Sequence, residues 1–176
     1  PLLDVMPAVD AYGAFGSKVV FFILGAFMLS AAVITSGLSN RIATRVVIRF
    51  GATPRKLVMT IFGLTAAGAT GMSSHAVGAM VFPIVLDIAR ALELKPLKSR
   101  LGRALFFAMA WGCIIGGSLT ILGGGRAPLA IGLLEEATSQ QGATGSTIGF
   151  LDFMAYSVPL VGMMLLFGAW LLTRRF

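Results

Sequence analysis

The sequence predicts an all-α integral membrane domain in which a re-entrant helical hairpin meets a broken transmembrane helix. Three observations predict this fold. The 176 residues are 57% hydrophobic and 12% charged, which is outside the usage of soluble globular domains. Long apolar runs alternate with short basic segments, as in proteins that cross a membrane several times. Two of the apolar runs are interrupted, by GMSSHAVG at residues 71–78 and by GGGRAP at residues 123–128.

The first two elements are a membrane helix at residues 19–35 and an amphipathic helix at residues 38–52. The first run has nearly the length needed to cross the membrane and ends at the Ser36-Gly37 break. Basic residues then recur every four positions, at Arg41, Arg45 and Arg49. An apolar stripe adjoins them, formed by Leu38, Ile42, Val46 and Phe50. This pattern predicts a helix lying in the cytoplasmic interface of the membrane.

Residues 55–92 are predicted to form the re-entrant hairpin. Between Leu57 and Ala89 the only charged side chain is Asp87. One crossing needs about 20 residues and two crossings need about 40 plus a turn, so this run fits neither. Two half-spans of roughly 16 residues each fit its length and return the chain to the side it left. Both flanking basic clusters then lie in the cytoplasm, as the positive-inside tendency requires.

The last two elements are a broken helix at residues 103–136 and a closing helix at residues 150–173. Three glycines and a proline at residues 123–128 cannot continue a regular helix, so the first of these reads as one crossing made of two half-helices. All of the 14 basic residues except Lys18 and Arg126 fall in segments assigned to the cytoplasmic side. Arg126 is thereby placed at membrane depth, where an arginine is costly and indicates a charge partner or a ligand.

The two interruptions are the candidate functional site. Non-helical chain at membrane depth persists where protein buries it or where it lines a watery cavity. Paired broken helices near the midplane are how many secondary transporters bind an anion at helix N-termini and a small cation at freed carbonyls. Local alternatives remain open at each position. Ser73 and Ser74 can bond to their own backbone, His75 can be a core histidine, GGGRAP can be a kink, and Arg126 can pair with Glu135 or Glu136 or extend outward.

Several classes of function lack sequence support. No Walker loop, nucleophile elbow, paired-carboxylate site or HExxH motif occurs, so no enzyme or ATP-driven pump is predicted. The formal net charge of +7 comes from basic residues between apolar segments, which topology explains better than nucleic-acid binding. The single cysteine, Cys113, is interpreted as a core residue, with no disulfide and no cysteine metal cluster.

Over nearly its whole length the sequence resembles the divalent anion/sodium symporter family of the ion transporter superfamily. The resemblance rests on GMSSHAVGAMVFPIVLDIA, which begins at Gly71, and on RALFFAMAWGCIIGGSLTILGGG, which begins at Arg103. The family's Ser-Asn-Thr triplet corresponds here to Ser73-Ser74-His75. Its Gly-Gly-x-x-Thr stretch corresponds to residues 116–120, and GGGRAP stands in place of its Gly-(Ser/Thr)-Pro-Pro-Asn.

The resemblance implies a secondary active transporter of dicarboxylate, sulfate or a similar oxyanion, coupled to a cation, in the inner membrane. It implies that the chain is the first of two inverted repeats, that the second repeat completes the site, and that the protein is a homodimer. It implies Na⁺ as the candidate coupling ion and no other cofactor. The implied substrate-binding residues are Ser73, Ser74, His75, Gly124, Gly125 and Arg126. The implied ion-binding residues are Ser73, Ser74, Thr120 and Gly123.

The departures from the family pattern suggest a changed coupling mechanism. The Arg126 guanidinium could do the electrostatic work of a bound sodium ion, and His75 could supply a titratable group for proton coupling. The alternatives in function are an arsenite-permease-like or other sodium-independent anion permease, an anion channel, and a membrane scaffold that does not transport.

Overall fold

The computed structural model describes residues 18–95, 98–140 and 148–175, together with Gly13 and Gly16. Regular structure within this part of the chain is entirely helical, as the sequence predicts, and consists of seven α-helices and one 3₁₀ turn. The helices are α1 (Lys18–Thr35), α2 (Leu38–Phe50), α3 (Pro54–Gly71), α4 (Ser74–Ala91), α5 (Arg100–Gly117), α6 (Arg126–Gln140) and α7 (Phe150–Arg175). The 3₁₀ turn is Ile121–Gly123. Most of the polar loop predicted before the last helix, residues 141–147, lies outside the described residues.

The helix boundaries follow local signals at several points. Gly37 separates α1 from α2 and has φ 68°, a left-handed conformation that glycine adopts without a side-chain clash. Thr53 accepts a hydrogen bond from the Lys56 amide at the start of α3, and Pro54 occupies the first helical position, where its missing N–H costs nothing. Ser99 caps α5 in the same way by accepting a bond from the Gly102 amide.

The core of the fold is a close contact between α3 and α5, which run parallel. Phe62 lies against Gly112, Ala66 against Gly116, and Thr70 against Thr120, each pair separated by 50 residues along the chain. A constant offset of this kind defines two helices in the same direction. The facing side chains are small or absent: a β-carbon at Gly112 would lie 2.6 Å from the Phe62 carbonyl oxygen. Small residues at this contact let the two backbones approach closely, as is common between membrane helices.

Helix α4 runs antiparallel to both α3 and α5. Ser74 lies beside Gly117, Gly78 beside Cys113, and the Phe82 and Phe106 rings are 5.8 Å apart between centroids. Residue numbers rise along α4 as they fall along α5. The basic start of α3, the basic end of α4 and the basic start of α5 consequently lie at one end of this helix group. The turn between α3 and α4 lies at the other end.

The outer helices expose apolar side chains. Large hydrophobic residues of α1 and α7 are extensively exposed, among them Phe21, Met28, Leu151 and Leu166. In α2, Ala43 is fully buried while the three arginines and Ile42, Ile48 and Phe50 are exposed. Among the described residues, Ser74–Ala91 and Phe150–Arg174 are long and apolar enough to cross a membrane. An exposed apolar surface of this extent is typical of contact with lipid.

Several predicted bounds differ from the structure. The segment predicted at residues 103–136 begins at Arg100 and ends at Gln140, and the helix predicted at residues 38–52 ends at Phe50. The hairpin helices have 18 residues each rather than about 16, which at 1.5 Å per residue is about 27 Å. The break in the second segment was predicted at residues 123–128, and this is wrong at both ends. Helix α5 ends at Gly117, the irregular segment runs from Ser118 to Gly125, and Arg126 through Pro128 form the first turn of α6. The end of α5 is held by contacts with the hairpin, where Gly116 meets Ala66 and Gly117 meets Ser74, and the local sequence does not reveal these contacts.

Candidate functional site

The turn between α3 and α4 consists of Met72 and Ser73. The Met72 amide donates to the Gly68 carbonyl and closes α3, and the Ser73 carbonyl accepts the Val77 amide and opens α4. Ser73 is buried, and its side chain makes no capping hydrogen bond. Ser74 and His75 are therefore the first two residues of α4. Their backbone N–H groups belong to the unpaired donors of a helix N-terminus, the end that favours negative charge.

The break between α5 and α6 has a short irregular course. The Gly123 amide donates to the Thr120 carbonyl, at 3.3 Å, within the 3₁₀ turn, and Gly124 is fully extended. The Gly125 carbonyl accepts the Leu129 amide, at 3.2 Å, which is the first hydrogen bond of α6. A second helix N-terminus thus begins at Arg126, and Pro128 lies in its first turn.

Two side-chain hydrogen bonds join the hairpin turn to the break. The Ser74 hydroxyl donates to the Gly123 carbonyl at 2.8 Å, and the Thr120 hydroxyl donates to the Thr70 carbonyl at 2.6 Å. Gly117 lies between the partners of the first bond, where a β-carbon would overlap the Ser74 hydroxyl and lie 3.1 Å from the Gly123 carbonyl oxygen. The alternative that Ser74 bonds only to its own helix is therefore wrong. The two interruptions form one structural unit.

A cavity of about 1020 Å³ opens beside this unit. His75 from α4 and Arg126 from α6 line it together, and both residues are exposed. Ser74, Ser118 and the glycines at 123–125 also contribute to its polar side, while apolar residues such as Phe82, Met109 and Ile114 form most of the remaining wall. Because His75 is exposed, it is not a core residue of this helix group. The cavity presents one guanidinium, one imidazole and two helix N-termini, a combination suited to an anion.

The predicted site residues divide into two layers. Ser74, His75, Gly123, Gly124, Gly125 and Arg126 line the cavity. Ser73 and Thr120 are buried, with 5% and 4% exposure, and do not line it. Thr120 instead supports the joint between turn and break through its bond to Thr70.

The structure adds residues that the sequence interpretation missed. Gly117 is required by the close approach of Ser74, and its signal was its place in the Gly-Gly-x-x-Thr stretch. The Thr70 carbonyl receives Thr120, and Phe153 of α7 contributes to the cavity wall. Neither contact has a signal in the local sequence. Cys113 is buried, as predicted for a core cysteine, and it also reaches the cavity wall.

The turn between α3 and α4 and the break between α5 and α6 meet beside one cavity, an arrangement compatible with a membrane carrier. The comparison with protein families agrees with it, since the citrate transporter family model matches residues 1–176. The chain belongs to the citrate transporter family, and it is a multi-pass membrane protein. The resemblance to the divalent anion/sodium symporters, as their N-terminal part, is confirmed.

Two curated relatives support this membership. The chain is 27% identical over 183 aligned positions to the sodium-dependent dicarboxylate transporter SdcS of Staphylococcus saprophyticus, which covers 99% of the chain and 34% of that protein. It is 35% identical over 99 positions to the inner membrane protein YbhI of Escherichia coli K12, which covers 54% of the chain and 21% of that protein. The chain thus spans about a third or less of the length of these relatives.

Proposed function

We propose that the chain supplies the N-terminal half of the binding site of a secondary anion carrier. The observation that carries this proposal is the shared cavity in which His75 and Arg126 stand beside the joint between Ser74 and Gly123. The fixed positive charge of Arg126 and the N-termini of α4 and α6 would hold the negative groups of the substrate. The expected substrates are dicarboxylates, sulfate or a similar oxyanion. The family is described as a citrate transporter family and the relative SdcS as a dicarboxylate transporter, which supports this class.

The membrane path in this proposal keeps α3 and α4 as a re-entrant hairpin. Helices α3, α4 and α5 have 18 residues each, and the end of α3, the start of α4 and the end of α5 meet. The hairpin turn therefore lies at the same depth as the break between α5 and α6. The chain continues along α6 beyond the break, so we place the break at the membrane midplane. The hairpin turn lies at the same depth as the break and is then at the midplane as well. The second inverted repeat of the intact protein would then close the cavity, and the protein would be a homodimer.

Cation coupling is proposed with sodium as the first candidate. Sodium binds oxygen atoms, and the joint offers the hydroxyls of Ser73, Ser74 and Thr120 and the carbonyl of Gly123 close to the cavity. A carbonyl oxygen has two lone pairs, so the bond from Ser74 leaves Gly123 able to accept a further ligand. The relative SdcS is described as sodium-dependent, which supports this choice. An enzymatic activity is not proposed.

A second candidate is a sodium-independent anion permease, and the exposed Arg126 favours it. A permanent cation in the cavity can balance the substrate charge without a bound metal ion. His75 would then carry the proton that couples transport to the proton gradient. The two candidates differ in which gradient drives uptake.

Uptake by the intact protein in proteoliposomes tests both candidates. Labelled dicarboxylates, citrate and sulfate would be offered under imposed sodium or proton gradients, with Arg126→Gln, His75→Gln and Arg45→Gln in parallel. Arg45 is an exposed arginine of α2 away from the cavity, so its variant controls for the loss of one charge.

We expect saturable uptake that Arg126→Gln reduces about 100-fold or more, since a buried or cavity-facing charge partner contributes about 3 kcal/mol. Sodium-driven uptake that survives His75→Gln would identify sodium coupling, and proton-driven uptake lost in His75→Gln would identify the second candidate. Equal activity of Arg126→Gln and Arg45→Gln would remove Arg126 from the site. A conductance far above carrier turnover would identify a channel. The absence of both uptake and conductance would identify a scaffold that does not transport.

A further inference from the structure

A second cavity lies at the basic end of the helix group, far along α4 and α5 from the site described above. It has a volume of about 660 Å³ and lies between the last turns of α4 and the first turns of α5. Its rim carries Arg90, Lys95 and Arg103, with Glu93 as the one acidic residue. Its floor is apolar and includes Leu86, Leu94, Phe106 and Phe107. We name this cavity the basic groove.

The basic groove keeps a net positive charge after the ion pair at its rim is counted. Arg90 pairs with Asp87 at 3.7 Å, and both side chains are more than 70% exposed, so the pair is solvated and weak. Among the described residues, Lys95 and Arg103 form no ion pair, and Glu93 is the one acidic residue of the lining. The rim therefore offers an excess of cationic donors to an anionic ligand.

The backbone turn that follows α4 positions one of these cations. Glu93 has φ 50°, a left-handed conformation that is uncommon for a residue other than glycine. The Glu93 amide donates to the Arg90 carbonyl, and the Leu94 amide donates to the Ala89 carbonyl, both at 2.9 Å. The chain is thereby folded over the end of α4, which places Lys95 on the rim and Leu94 on the floor.

We propose that the basic groove binds an anionic phospholipid of the cytoplasmic leaflet. The rim would hold the phosphate, and the apolar floor would take the first part of an acyl chain. Basic pockets between membrane helices on the cytoplasmic side are a recurring form of such sites. A free phosphate or other soluble anion would be held by the rim alone and would leave the apolar floor in contact with water.

The aromatic residues near the floor fit the same occupant. Phe107 is 45% exposed, and its ring packs against Trp111, one turn further along α5, with centroids 5.7 Å apart. Phe106 packs against Phe82 across the gap between α5 and α4. Tryptophan is enriched at the level of lipid headgroups, and the phenylalanine rings add apolar surface for an acyl chain. The proposal concerns lipid and does not depend on which anion the protein transports.

Native mass spectrometry of the intact protein tests the proposal, because it resolves individual bound lipids. Phosphatidylglycerol would be titrated against phosphatidylcholine, into the unaltered protein and into the double variant Lys95→Gln, Arg103→Gln. The matched control is Lys98→Gln, Arg100→Gln, which removes the same charge from residues of the same segment that do not line the groove. We expect the groove variant to bind phosphatidylglycerol roughly 10- to 30-fold more weakly and the control to lose much less. Equal losses in the two variants would overturn the proposal.

Two further measurements distinguish the sources of the phosphate. Ala89→Phe fills the floor of the groove without changing charge and should also weaken phosphatidylglycerol binding, while inorganic phosphate at millimolar concentration should not displace the lipid. Displacement by inorganic phosphate, or unaltered binding in Ala89→Phe, would contradict a lipid site.

A photoreactive phosphatidylglycerol provides a readout on the unaltered protein, independent of how the variants fold. Its cross-links should map to the segments at the end of α4 and the start of α5. Cross-links found only in other segments, such as α2, would overturn the assignment.

Discussion

At the scale of single residues, the joint between hairpin and break depends on side chains that are small or missing. At Gly116 a β-carbon would overlap the Ala66 carbonyl, and at Gly117 it would overlap the Ser74 hydroxyl. The neighbour of Gly116 is a backbone carbonyl, which cannot rotate away. The neighbour of Gly117 is the Ser74 hydroxyl, which already donates a hydrogen bond to the Gly123 carbonyl. Neither position tolerates added volume without moving a helix.

Gly116→Ala should therefore destabilise the protein by about 1–3 kcal/mol or more, the range for overpacking against a rigid neighbour. The matched control is Gly63→Ala on α3, where a β-carbon meets nothing within 4 Å and alanine should stabilise the helix by about 0.5–1 kcal/mol. Thermal unfolding of the purified intact protein in detergent would measure both. The packing argument fails if Gly116→Ala is as stable as Gly63→Ala.

The sequence singled out residues that the structure brings to one cavity, but it did not show how they are arranged. Ser74, His75, Gly124 and Arg126 stand out because polar, charged or flexible residues interrupt apolar runs, and such a signal is local. The bonds from Ser74 to Gly123 and from Thr120 to Thr70 cross 49 and 50 residues of chain. Contacts over that separation depend on how the helices pack, which composition and spacing do not encode.

At the scale of elements, the start of α3 was predicted to within one residue, whereas the start of α5 at Arg100 and its end at Gly117 were not. The sequence placed the start of the hairpin at residue 55, at the basic pair before an apolar run, and α3 begins at Pro54, where Thr53 and the proline provide a helix start signal. It misplaced the end of α5, where Gly117 is fixed by α4. The parallel pairing of α3 with α5 was also not predicted, because a prediction from segment lengths considers each segment separately.

Thr53→Ala should loosen the first turn of α3 by about 1 kcal/mol, because the Lys56 amide loses its acceptor at 3.3 Å. Thr53→Ser keeps the hydroxyl and should behave as the unaltered protein. Hydrogen exchange followed by mass spectrometry on the segment that contains Lys56 would report the difference. Identical exchange in the two variants would show that the cap contributes nothing to this helix end.

At the scale of the whole molecule, the positions of the basic residues and the turn predict a membrane topology. Ala52, before α3, and Glu93, after α4, lie at the basic end of the helix group, and Gly149 lies before α7. The positive-inside tendency places the first two in the cytoplasm. Gly71, at the hairpin turn, is exposed and has space for a side chain. A midplane turn is distant from both membrane surfaces.

Labelling of single cysteines with a membrane-impermeant maleimide, in a Cys113→Ser background, tests this topology in cells that produce the intact protein. Cysteine at position 149 should react from outside, and cysteine at 52 or 93 should react only after the membrane is opened. Gly71→Cys should react much more slowly than position 149 from either side. Fast external labelling at position 71 would show that α3 and α4 each cross the membrane completely.

The parallel contact of α3 with α5 also has a consequence for synthesis. The principal partner of α3 lies 50 residues further along the chain, and a ribosome adds about 5–20 residues per second. For roughly 3–10 s the nascent protein therefore has a hairpin whose inner face, including Ile61 and Thr65, lacks the helix that buries it. The insertion machinery must hold α3 and α4 through that interval, so the hairpin and α5 are expected to enter the bilayer as a single assembly step.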